Sequence, residues 1–170
     1  MPLRQPPAAW LFTDDRMGEA LWPALARLPR GSGVVFRDRS ADRRQRLRRV
    51  RAVARARRLL LSVSGGGRPN EVLHLGSVRG QRRHRGMVTA SAHSTIELVA
   101  ARRAGAMLVF VSPVFATASH AGQTPLGRVR FHQLARQAKL PVAALGGMTA
   151  RRFRTLRPAA VAWGAVDAWL

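Results

Sequence analysis

The chain has 170 residues, 46% of them hydrophobic, a formal net charge of +22 and no cysteine. Its length suffices for one buried core, so residues 1–170 are expected to form a single domain, and the missing cysteines exclude disulfides and thiolate metal sites and fit a reducing cytoplasm. No apolar run approaches membrane-spanning length, and the run in MPLRQPPAAWLF is too short for a secretory signal, so a soluble cytoplasmic protein away from membranes is expected.

The charge is almost wholly arginine, Lys139 being the only lysine. Such a surface attracts polyanions in general, whether nucleic acid, anionic membrane or phosphorylated metabolites. Arginine in place of lysine throughout also has a bland source, the codon bias of a GC-rich genome.

In chain order, Ala8–Thr13 reads as a first strand ended by Asp14-Asp15, and Gly18–Leu28 carries Leu21, Leu25 and Leu28 at helical spacing. Val34–Phe36 is a short second strand running into Arg37-Asp38-Arg39. Ser40 is then placed to cap a helix over 41–56, with Leu47, Val50, Val53 and Ala54 on one face and arginines over the remainder. That arginine run has two readings, a nucleic-acid-binding helix or a solvated outer face; it lacks the interleaved aromatics of single-strand binders.

Leu59–Val63 is a third strand, followed by a loop with three glycines that is too short for a crossover helix and is not a Walker loop, since no Gly-Lys-Ser/Thr follows. Glu71–Gly76 is a fourth strand, Arg79–Arg85 a basic connection, and Met87–Ser91 a fifth strand. Ser94-Thr95-Ile96-Glu97 forms a capping box opening a helix to about Ala104. Met107–Val111 is apolar without alternation, as in strands covered on both faces, and the polar loop after it carries Thr117, Ser119, His120 and Gln123. Gly127–Ala138 places Phe131, Leu134, Ala135 and Ala138 on one helical face. Pro141–Leu145 is a seventh strand, Thr149 caps a short helix through Leu156, and Ala159–Trp163 is the last strand.

About eight β-then-α steps result, with helices three, four and eight reduced, and the expected fold is α/β: a compact or incomplete (β/α)₈ TIM barrel, with a doubly wound sheet as the alternative. Gly146-Gly147 after the seventh strand lets backbone N–H groups approach an anion, and Gly164, read as following the last strand, would lie beside them in the usual barrel phosphate position. His74, Ser91, Thr117, Ser119, His120, Arg37 and Arg39 all fall at or just past strand ends, hence on one rim.

From Met87 onward the sequence runs S-x-H-S-x-x-E, then G-A-x-x-x-x-V-S-P-V-F-A-T-A-S-H, then P-L-G, then P-V-A-A-L-G-G-M. This pattern resembles thiamine phosphate synthase and its thiazole-tautomerase (TenI-like) relatives, whereas the first half matches mainly through V-V-F-R-D-R and the H-L-G at His74–Gly76. The resemblance implies coupling of hydroxymethylpyrimidine diphosphate to a thiazole phosphate with release of diphosphate, assisted by magnesium. It places Arg37, Arg39 and Ser91 on the diphosphate, matches Thr117 and Ser119 to the family's T-x-T pair, and matches Gly146 and Gly147 to the thiazole-phosphate glycines.

The departures are as specific. His120 replaces a lysine, Ser62-Val63-Ser64 stands where the family has an Asn-Asp pair, and Ser77-Val78-Arg79 replaces the second metal-binding aspartate. A glutamine expected just before Arg37 is also missing. The magnesium carboxylates are therefore absent, and the histidine that a tautomerase needs near Ser112-Pro113 is replaced by proline. Three readings follow: a divergent transferase, a noncatalytic binder of phosphorylated thiamine metabolites, and a basic nucleic-acid-associated protein. For a metabolite site, Gly147→Glu is expected to abolish binding and leave the fold intact. Oligomeric state is not legible.

Overall fold

The computed structural model describes residues 5–68, 71–117 and 122–170. Eight parallel strands close into a barrel in sequence order: β1 (Ala9–Phe12), β2 (Gly33–Phe36), β3 (Leu60–Ser64), β4 (Val72–Leu75), β5 (Val88–Ala92), β6 (Ala106–Val111), β7 (Val142–Leu145) and β8 (Ala162–Ala165), with β8 pairing back onto β1. Closure rules out the open doubly wound sheet and gives every strand two neighbours, which leaves no edge exposed. The helices are α1 (Leu21–Arg27), α2 (Arg43–Arg57), α3 (Thr95–Arg103), α4 (Gly127–Ala138) and α5 (Ala150–Arg154). Among the described residues no helix follows β3 or β4, and the one after β8 is a 3₁₀ turn at Asp167–Trp169. The compact barrel with helices three, four and eight reduced is thus observed. Among the described residues no helix is long and apolar enough to cross a membrane.

Alternation along each strand sorts side chains between the barrel lumen and the helical jacket. Trp10, Phe12, Val35, Leu108, Phe110, Ala143 and Ala162 form one cluster, while Leu11, Val34, Val63 and the buried faces of α1 and α2 form a second. Large and small side chains complement each other in the lumen. An ideal Cβ at Gly33 would overlap the Trp10 ring, and one at Gly164 would come 3.0 Å from Phe12 Cε2. Edge-to-face contacts of Phe110 with Trp10 (5.3 Å) and Phe12 (4.7 Å) complete the packing.

The helices form where an apolar stripe meets a cap. Ser94 Oγ accepts from Glu97 N at 3.3 Å, and Thr149 Oγ1 from Arg152 N at 3.2 Å, as expected from sequence. On α4, Phe131, Leu134 and Ala138 are buried, and burying a Phe or Leu side chain contributes about 1.5–3 kcal/mol.

Three local expectations change. Ser40 does not cap α2; its N–H and Oγ bond Asp38 Oδ1 at 2.8 and 2.6 Å, and the helix starts three residues later behind Asp42. The first helix is split, because Gly18 (φ 49°) breaks a 3₁₀ segment, Asp15–Ala20, ahead of α1. The last strand begins at Ala162 rather than Ala159, so Gly164 lies inside β8 and pairs with Trp10 and Leu145 instead of following the strand. There the lumen needs a residue without a side chain opposite Phe12.

Candidate functional site

The carboxyl ends of the parallel strands form one rim, where barrels carry their ligand sites. A cavity of about 60 Å³ opens there, bordered by Phe12, Arg37, Ser112, Thr117, Leu145, Gly146, Gly147 and the stretch from Ala165 to Ala168. That volume is well below the roughly 300–1,000 Å³ of a pocket for a drug-sized ligand and suits a phosphate-sized group.

Among the described residues the cation at this cavity is Arg37. Its backbone is fixed by Thr13, whose Oγ1 accepts from Arg37 N at 2.8 Å and donates to Arg37 O at 2.9 Å. The guanidinium sits 5.8 Å from the Phe12 ring centroid and 3.9 Å from Asp14. Burial holds its pKa below the ordinary arginine value, with Asp14 opposing, yet arginine stays charged at any physiological pH. Asp14 is committed elsewhere: Arg16 grips both its oxygens at 2.8 and 2.9 Å and holds its pKa at about 2.

Gly146 and Gly147 both have positive φ, 92° and 59°. A Cβ on Gly146 would come 2.8 Å from Pro113 Cα, and one on Gly147 would strike the Ala116 carbonyl oxygen. The two glycines therefore let the segment after β6 lie directly on the segment after β7. Arg152 closes the turn, donating to the Gly147 carbonyl and stacking on Phe115 at 4.7 Å. Gly147→Glu would consequently disrupt this packing as well as any ligand, so it is not a clean test of binding.

Four of the nine residues expected at the site, Arg37, Thr117, Gly146 and Gly147, border one cavity. Arg39 is exposed, its N–H bonded to Asp15 Oδ1 at 2.9 Å, and does not border it. Gly164 is in the strand, and its place on the rim is taken by Ala165–Ala168. Ser119 and His120 lie outside the described residues. Ser91 sits on the rim end of β5 and bonds His74, its Oγ 3.2 Å from Nε2. Sequence reasoning missed Phe12 and Asp167; inward alternation on β1 would have found the first, while the last-strand shift hid the second.

His74 is a lumen residue. Its Nδ1 is 2.9 Å from Thr89 Oγ1, which is 2.8 Å from Ser62 Oγ, and its ring packs edge-on to Phe12. Burial, with Arg37 adding to it, pushes its pKa down to about 3. Unfolding exposes the ring and restores an ordinary value near 6.5, so the unfolded state binds the extra proton and stability falls as pH drops below 6.5. A loss of about 2–3 kcal/mol is expected by about pH 4.5, before Asp14 begins to titrate. Urea unfolding from pH 7 to 4.5 checks this; a flat stability profile refutes it.

Elsewhere three carboxylates are engaged by basic groups. Glu71 takes both prongs of Arg51 at 2.6 and 2.8 Å, Asp38 Oδ2 lies 2.8 Å from Arg46 Nε, and Glu97 Oε1 lies 3.5 Å from Arg79. At the end of β3 an arginine stands near the rim, Arg43 Nη2 donating to Ser64 O at 2.7 Å. Among the described residues no three His, Cys, Asp or Glu side chains gather as a metal site. Within the arginine run of α2, Arg43 and Arg49 lie over the Phe36 and Trp22 rings and Arg57 donates to the Leu28 carbonyl. His93 donates from Nδ1 to the Ser112 carbonyl at 2.8 Å, so a histidine reaches Ser112-Pro113 in space though neither sequence neighbour of that pair is one.

Residues 69–167, more than half of the chain, match the model of the family described as thiamine monophosphate synthase. The chain belongs to that family. The Aquifex aeolicus (strain VF5) protein named "Putative thiamine-phosphate synthase 2" is 36% identical over 63 residues, 37% of this chain and 34% of the relative. The match thus spans about a third of that relative's length. Among solved structures, the thiamine phosphate pyrophosphorylase from Pyrococcus furiosus superposes with a TM-score of 0.66 over 94% of this chain and 84% of its own, at 18% identity. The enzyme of the same name from Bacteroides thetaiotaomicron gives 0.55 over 94% and 82%, at 16% identity. These two likenesses concern the fold.

Proposed function

We propose that this protein binds the phosphorylated precursors of thiamine phosphate at the carboxyl rim and couples hydroxymethylpyrimidine diphosphate to thiazole phosphate. The observation that carries this reading is the convergence of Arg37, Thr117 and the Gly146-Gly147 turn on one phosphate-sized cavity in a chain of this family. Arg37 serves the diphosphate, and the glycine turn, with Thr117 beside it, serves the thiazole phosphate. Ser91 adds a hydroxyl from the end of β5.

Magnesium does not fit the side chains present. Hard cations require several oxygen ligands, but among the described residues Asp167 is the one carboxylate bordering the cavity, no three His, Cys, Asp or Glu side chains gather as a metal site, and Ser64, at the end of β3, has a guanidinium on its carbonyl. In the proposed reaction the bond from the pyrimidine methylene carbon to the diphosphate oxygen breaks, its electron pair leaves with diphosphate, and a new bond forms to the thiazole. The chain's own contribution is to hold the leaving group against the Arg37 guanidinium, which stabilises the departing charge without a proton transfer.

Coupling, measured as thiamine phosphate formed from the two substrates, is expected to proceed equally with and without a metal chelator. Chelator-sensitive turnover would overturn the metal-free reading. The missing carboxylates favour a second reading, a noncatalytic binder: calorimetric binding of thiazole phosphate and diphosphate with no product formed would establish it, and absence of binding would remove both.

A further inference from the structure

Inside the barrel, four polar side chains from three strands form a single file: Ser62 on β3, Thr89 and Ser91 on β5, and His74 on β4. The links are Ser62 Oγ to Thr89 Oγ1 at 2.8 Å, Thr89 Oγ1 to His74 Nδ1 at 2.9 Å, and His74 Nε2 to Ser91 Oγ at 3.2 Å. Ser62 and Thr89 are wholly buried, His74 is 2% exposed, and Ser91 alone is partly exposed, at the rim.

Counting protons gives this file a direction. Each hydroxyl carries one proton, and a neutral imidazole carries one proton for two nitrogens. If the file ran inward, Ser91 would donate to Nε2, Nδ1–H to Thr89 and Thr89 to Ser62. The Ser62 proton would then be buried in the lumen with no acceptor among the described residues, at a cost of about 1–3 kcal/mol. Run outward, Ser62 donates to Thr89, Thr89 donates to Nδ1, Nε2–H donates to Ser91, and the Ser91 proton points to the rim. Every buried donor is then satisfied, and the free proton emerges where water or a ligand oxygen accepts it.

We propose that Thr89 is a positioning residue which, with Ser62 behind it, keeps the His74 proton on Nε2 and so presents Ser91 to the rim as a hydrogen-bond donor for an anionic phosphate oxygen. The inference rests on the anion-binding reading of the rim. Ser91 is thereby made a donor by construction, whereas a serine without this file could equally turn its lone pairs outward and meet a phosphate oxygen lone pair to lone pair. Each link polarises the next, so the outermost O–H is a stronger donor than an isolated serine. The depressed pKa of His74 keeps the ring neutral, as the count requires.

The test uses the full chain labelled with ¹⁵N at its five histidines. His74, assigned by difference with His74→Gln, is expected to carry its proton on Nε2; a proton on Nδ1 overturns the inference. Diphosphate is the probe for the second arm. Thr89→Val, nearly isosteric, removes the donor to Nδ1 and is expected to weaken diphosphate binding roughly three- to tenfold, moving the His74 nitrogen resonances. Thr89→Ser, which keeps the hydroxyl, is expected to restore both. Equal affinity for wild type and Thr89→Val, or no rescue by Thr89→Ser, overturns the positioning role. Wild type that fails to bind diphosphate overturns the anion site itself, while the tautomer, read in the free protein, decides the file separately.

Discussion

Arg37→Gln is expected to lower diphosphate affinity ten- to a hundredfold with the barrel intact. A hydrogen bond to a charged group contributes about 1.5–3 kcal/mol, and every 1.4 kcal/mol is about tenfold in affinity. Arg37 is the arginine that borders the cavity, and Thr13 holds its backbone through two bonds that glutamine keeps. Its side chain is 37% exposed and its ion pair with Asp14 is long, 3.9 Å, so its loss costs little stability. Asp14 keeps both bonds from Arg16. Arg39→Gln is the control: its side chain is exposed and off the cavity, so the same charge is removed with less than about a threefold effect. Calorimetry with diphosphate and thermal unfolding of both variants check this. Equal losses for the two would mean that the general positive field binds the anion and Arg37 has no special part.

Gly33→Ala is expected to be the most destabilising single-methyl addition in the lumen. The new Cβ would overlap the Trp10 ring carbons Cδ2 and Cε3, and Trp10 cannot retreat. It is fully buried, its Nε1 donates to Pro7 O at 2.7 Å, and Phe110 meets its ring at 5.3 Å. Overpacking costs about 1–3 kcal/mol where neighbours relax, and more where they do not, so a loss of about 3 kcal/mol or more is expected. Gly76→Ala provides the contrast, since its Cβ would meet nothing within 4 Å and its φ is not in the left-handed region. Reducing unfolded-state entropy there stabilises by about 0.4–1 kcal/mol. Urea midpoints measure both; similar midpoints would refute the packing account of the lumen.

The parts of the site that were legible from sequence are those where one residue type serves one local need. Thr149 and Ser94 cap the helices they were expected to cap because a cap depends on three or four neighbouring residues. Arg37 falls on the rim because it follows a short apolar strand. Gly164 went otherwise because its partner is remote: Phe12, across the lumen, required a residue without a side chain at 164. Ser40 went otherwise because Asp38, two residues before it and paired with Arg46, takes its N–H and hydroxyl. The glycine pair was read from sequence as a place for a phosphate, whereas the requirement visible in the structure is the close approach of Pro113 and Ala116.

The sequence by itself determined the eight strand-and-helix steps and the family motifs from Met87 onward, since these are local in the chain. Only the tertiary structure decided that the sheet closes, that Arg39 and Gly164 leave the cavity to Arg37 and the 165–168 turn, and that Ser62, Thr89, His74 and Ser91 stand in file. Those outcomes depend on which side chains share the lumen and on where each buried proton can go, and neither is written in the spacing of residues along one chain.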